Sequence, residues 1–121
     1  MWQGIGGEAA LRVIVGDFVD RVFDDPMIGF FFRHASRDRI KEMEYQHAAH
    51  FLGGIPAYGG RPLRETHARH PIRGGHFERR KELLRRTLRD HGVPEEIVHA
   101  WIAHNESLRG EITADPGSQC R

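Results

Sequence analysis

The stretch LRVIVGDFVDRV, residues 11–22, sets Leu11, Ile14, Val15, Phe18 and Val22 at intervals of three and four. That spacing lines one apolar face of a helix and does not fit the period of two of a half-buried strand. Gly6-Gly7 precedes it. Outward from this segment the same period returns. From Ser36, the positions Ile40, Met43, Glu44, His47 and Phe51 share a face until Gly53-Gly54 stops the helix. A later stripe carries Phe77, Arg80, Leu84 and Leu88 and ends at His91-Gly92. Pro94-Glu95-Glu96 then opens a last helix with stripe Ile97, Trp101, Leu108 and Ile112. Between the long segments, Asp25-Pro26 reads as a cap and a first-turn proline, starting a short helix that ends in Phe30-Phe31-Phe32. Residues 53–61 read as a loop of Gly, Pro and Tyr, and Leu63 to Arg69 as a short helix before Pro71. No segment alternates with period two, so the expected fold class is all-α. One domain over residues 1–121 is expected, with a frayed tail from about Thr113.

The 121 residues, 39% of them apolar, suffice for a single modest core. Eighteen basic residues against 17 acidic ones give a net charge of +1, so no nucleic acid or anionic membrane is called for. Cys120 stands alone, which rules out an internal disulfide. No stretch approaches the roughly 20 apolar residues of a membrane helix, and Met1 to Gly7 lacks a leader pattern, so a cytoplasmic protein is expected.

Nine histidines are the compositional anomaly. His47 and His50 do not form the H-E-x-x-H arrangement of a zinc helix. Gly4, Gly6 and Gly7 precede a helix without a strand before them, so they make no phosphate loop. Ser36, Ser107, Ser118 and Cys120 offer no centre for nucleophilic catalysis. What is left is a helical shell with a phenylalanine cluster, a glycine-rich loop and a histidine on a short helix. Haem has a use for that combination: it is a flat apolar disc that needs aromatic packing, one neutral imidazole for iron, and cationic groups for its propionates.

The ordered motifs make the point specific. They run Ile5-Gly6-Gly7, Asp17-Phe18 through Arg21-Val22, Asp25-Pro26, the aromatic run to Phe32, Phe51-Leu52-Gly53-Gly54, Tyr58-Gly59-Gly60-Arg61, His67-Ala68, Ile72, His76-Phe77 and Gly92 to Glu96. Over nearly its whole length the chain resembles the truncated haemoglobins, the first group of that family above all. The resemblance implies a two-over-two helical sandwich, haem b as cofactor, a diatomic gas or peroxide as ligand and a reductase as partner. It carries the proximal iron ligand onto His67 and the haem-packing phenylalanine onto Phe32. His70, three residues on, competes for iron or meets a propionate, a role for which Lys41 and Arg64 are the other candidates. Ile40, Met43, Glu44, His47 and Phe77 complete the expected haem-binding set.

The distal positions depart from the family pattern. Its tyrosine position matches Val19, its polar amide position matches Glu44, and an inward apolar position matches Arg80. Helical phase puts Glu44 on the core-facing stripe of its helix and Arg80 on that of another, where each satisfies the other. An ionised Glu44 repels the negative outer oxygen of bound dioxygen but can accept a proton, while a guanidinium stabilises developing negative charge. Glu44 and Arg80 are therefore expected as catalytic residues of a haem-dependent oxidative or nitrogen-oxide chemistry. Two other readings stay open at this point: oxygen or nitric oxide binding without turnover, and a haem-free regulatory module.

Overall fold

The computed structural model describes residues 1–54 and 74–108. They form α1 (Trp2–Ile5), α2 (Gly7–Asp24), a 3-10 helix (Gly29–Phe32), α3 (Arg37–Leu52), α4 (Gly74–Asp90) and α5 (Glu95–Ser107), with no strand among the described residues. The helix expected over Leu63 to Arg69, the stripe position Ile112 and the tail from Thr113 lie outside them.

Each boundary has a local cause. Gly6, at φ 101°, ends α1 in a left-handed turn that a side chain would strain, and α2 starts at the next residue. Ser36 caps α3: its Oγ accepts the Arg39 N–H at 3.2 Å. Gly53, at φ 92°, closes the same helix, with the Gly54 N–H donating to the Ala49 carbonyl at 2.7 Å. Glu95 and Glu96 occupy the first turn of α5, where the helix dipole favours acids.

Packing centres on α2, which touches α1, the 3-10 helix, α3 and α4, while α5 packs on α4. Its stripe Leu11, Ile14, Val15, Phe18 and Val22 is buried, as the spacing predicts, and Val19 is buried with it. Phe77, Leu84 and Leu88 of α4 join Ile97, Val98 and Trp101 of α5 in the same core.

Two expectations need correction. The short helix begins at Gly29, not at Pro26. Asp25 ties the intervening turn instead, its Oδ2 accepting the Met27 and Ile28 N–H groups at 2.9 and 3.1 Å. The second correction concerns α3. Its fully buried residues are Tyr45, Ala48, Ala49 and Leu52, whereas Ile40, Met43, Glu44, His47 and Phe51 are only half-buried. The helix packs against α2, and Arg12 of α2 sits over the Tyr45 ring at 3.8 Å. The stripe expected to face the core forms its border.

Candidate functional site

Arg80 is the organising residue of that border. It is 6% exposed, in phase with Phe77, Leu84 and Leu88 on the inner face of α4. A guanidinium so placed must find partners, because leaving a buried charge unpaired costs several kcal/mol. Nη2 donates to both oxygens of Glu44 on α3, at 3.3 and 3.2 Å. Nη1 donates to Asn105 Oδ1 on α5 at 2.6 Å. The Asn105 amide nitrogen in turn donates to the Trp101 carbonyl at 3.3 Å, which fixes which end of the amide meets Arg80. The guanidinium also lies over the Phe18 ring of α2, 5.1 Å from its centroid. One side chain thus links four helices.

These groups border a cavity of about 20 Å³, room for about one water molecule. Val15, Phe18, Leu84 and Trp101 supply its apolar wall, and Glu44, Arg80 and Asn105 its polar one. His47 and His104 also line it. The His104 ring stacks on Phe51 at 4.1 Å with an 11° tilt, and on His47 at 5.6 Å with a 29° tilt. Burial, then the neighbouring His47 and His50, push the His104 imidazole below the usual histidine range, so the neutral ring is favoured.

The remaining expected site residues fall in different places. Phe32 is buried, its ring 5.5 Å from Phe23. Ile40 packs half-buried against the core and Met43 is half-buried beside it on α3. Lys41 is engaged with Asp20, Nζ to Oδ1 at 3.0 Å. Phe77 is fully buried. Arg64, His67 and His70 lie outside the described residues. The sequence reading overlooked Asn105 and His104. Both were findable, since Asn105 is four residues after Trp101 and three before Leu108 on the stripe already recognised. A third overlooked group is His76 Nδ1, buried without a partner among the described residues, its ring edge-on to Phe31 at 4.8 Å.

A family model for bacterial-like globins matches residues 1–114. The group 1 truncated haemoglobin GlbN of Synechocystis is 35% identical over 104 residues, covering 81% of this chain and 82% of that protein. This chain belongs to the truncated haemoglobin family. The GlbN of Mycolicibacterium paratuberculosis is 34% identical over 112 residues, 93% of this chain and 82% of its own. The fold agrees with solved truncated haemoglobins. The haemoglobin of Chloroflexus aurantiacus superposes with a TM-score of 0.80 at 29% identity, over 94% of this chain and 97% of that one. The 2/2 haemoglobin of Synechococcus, at 21% identity, gives a TM-score of 0.87 over 94% and 98%. The expected two-over-two helical fold is therefore the one observed, and haem b is the cofactor of this family. No helix among the described residues is long and apolar enough to cross a membrane.

Proposed function

We propose that this truncated haemoglobin binds haem b through His67 and uses it for oxidative or nitrogen-oxide chemistry, with Glu44 as proton acceptor and Arg80 as its electrostatic partner. The observation that carries the reading is the buried Arg80, bonded at once to Glu44 and Asn105 beside a cavity. The residues present suit haem. Phe32 supplies an aromatic ring, Ile40, Met43, Glu44 and His47 form a half-buried stripe on α3, and His76 Nδ1 is a buried polar atom without a partner among the described residues that suits a propionate. His70, Arg64 and Lys41 are the further propionate candidates, and Phe77 backs the site from the core.

When bound, haem supplies an iron centre that takes a diatomic molecule or peroxide and exchanges electrons with it, replenished by a reductase. The chain's own groups handle the protons. Paired with Arg80, the Glu44 carboxylate takes a proton from peroxide or another protic ligand. Arg80 holds that carboxylate in place through Nη2. The guanidinium has five N–H groups, and its Nε–H has no partner among the described residues, which leaves a donor for negative charge developing on the ligand. Val19, buried at the family's tyrosine position, donates nothing, so stabilisation of bound dioxygen by that route is missing.

Replacing Glu44 by Gln keeps an acceptor for Arg80 but removes the base. Peroxide turnover should fall by about a hundredfold and oxygen affinity should rise. A Glu44→Gln protein unchanged in both would overturn the assignment. The absorption spectrum tests the haem part separately: a sharp Soret band is expected and should be lost in His67→Ala.

A further inference from the structure

We infer that His47 and His104 form a proton-transfer pair that connects Glu44 with solvent across the seam between α3 and α5. The inference deepens the proposed function and rests on Glu44 acting there as a proton acceptor. A base that turns over must also give its proton away, and the cavity wall shows a route. His47 follows Glu44 by three residues, so the two side chains occupy one face of α3. His104 precedes Asn105 on α5, and both imidazoles border the cavity that Glu44, Arg80 and Asn105 line. That cavity has room for about one water, enough to bridge carboxyl and imidazole.

The rest of the wall is selective. From α2 only the apolar Ile14, Val15 and Phe18 face the cavity. From α4 comes the Arg80 guanidinium, a donor with no acceptor, and from α5 the non-titrating Asn105. On α3, His50 is close enough to His104 to disfavour its charged form. Among the described residues, the titrating groups facing His104 are thus Glu44, His47 and His50. Packing alone would be served by a phenylalanine at position 104, whose ring would stack on Phe51 as the imidazole does. An imidazole adds two nitrogens that can exchange protons. A favoured neutral state leaves one of them ready to accept.

Proton bookkeeping closes without electron transfer. The O–H bond of protonated Glu44 breaks and an N–H bond forms on the nearer imidazole, directly or through one water. The N–H bond on the other nitrogen of that ring then breaks, its proton passing by way of water to form an N–H bond on the second imidazole, whose own second N–H bond breaks to release a proton to solvent. Glu44 returns to the carboxylate, and the rings end neutral with their tautomers exchanged.

The test uses the full-length, haem-loaded protein with His47→Phe, His104→Phe and Glu44→Gln, each checked for an intact Soret band. Peroxide consumption in each phenylalanine variant should fall at least about tenfold at about pH 7, with KM unchanged and a larger solvent deuterium isotope effect. Added free imidazole should restore part of the rate. A second readout needs neither activity nor a histidine change: histidine nitrogen NMR of the carbon monoxide complex, followed over about pH 5 to 8. Removing the Glu44 charge should lower the His47 midpoint, because a carboxylate favours the imidazolium. Parental rates with no response to imidazole in both phenylalanine variants overturn the relay, as does a His47 midpoint unmoved in Glu44→Gln. If Glu44→Gln is slow while both phenylalanine variants are fast, the relay falls and the role of Glu44 stands. If Glu44→Gln turns over peroxide like the parent, the proposed function falls with it.

Discussion

Arg80 and Asp25 are both charged groups with little access to solvent, and each is held by a different kind of partner set. Arg80 relies on two side chains from other helices, and removing it takes the guanidinium away from both the Glu44 carboxylate and Asn105 Oδ1. Arg80→Met should therefore cost about 3 kcal/mol in urea unfolding, whereas Glu44→Gln, which retains an acceptor, should cost less than about 1 kcal/mol. Asp25 instead combines the Arg79 guanidinium, at 2.7 and 2.9 Å, with two backbone amides. Burial pushes its carboxyl up, but Arg79 and the Met27 and Ile28 amides outweigh it and hold it below the usual carboxylate range. Asp25→Ala should destabilise the fold by about 3 kcal/mol, read from the same unfolding curves. Helical phase alone places Glu44 and Arg80 toward each other in the sequence. The same phase places Asn105 on the α5 stripe, but its pairing with Arg80 shows only in the structure.

At the scale of elements, periodicity locates α2, α3, α4 and α5 because each repeats its apolar residues over several turns. It misses α1, a single turn of four residues that is too short to repeat. It also misjudges which way α3 faces. Ala48 and Ala49 weigh little in an apolar pattern, yet they are buried, while the larger Ile40 and Phe51 are only partly so. The short helix before α3 is displaced for a related reason. A Cβ on Gly29 would lie 2.3 Å from the Phe23 carbonyl oxygen, so a close approach of backbones sets its start. Because α3 carries Glu44 and His47, its N-terminal cap bears on the site. Ser36→Ala removes the acceptor for the Arg39 N–H and should cost about 1 kcal/mol, with Ser36→Asp close to the parent in thermal unfolding.

For the whole molecule, titration gives stability a pH profile with two descending stages. In the folded state Asp17, Asp20 and Asp25 are held below the ordinary carboxylate range, against the upward push of burial, by His91 and Arg21, by Lys41 and Arg37, and by Arg79 with its two amides. Such groups stabilise the fold above their unfolded values and lose that contribution as pH falls through the folded ones. His104 acts in the same direction higher up, since its ring is held below 6.5 by burial, His47 and His50. The unfolded chain takes that proton first, so stability should begin to decline as pH drops below 6.5. A second fall should come below about pH 4, where the unfolded carboxylates protonate. Denaturation midpoints measured across this range check both stages, and His104→Phe should flatten the upper one alone. The haem ligand acts on the same equilibrium through mass action. His67, the proposed iron ligand, is legible only as part of an ordered motif, because a lone histidine has no periodicity to betray it. Haem that binds the folded chain alone raises its stability by about 4 kcal/mol at a thousandfold excess over Kd. The parent should therefore unfold at a higher temperature with haem than without, and His67→Ala should lose most of that difference while its haem-free form unfolds like the haem-free parent.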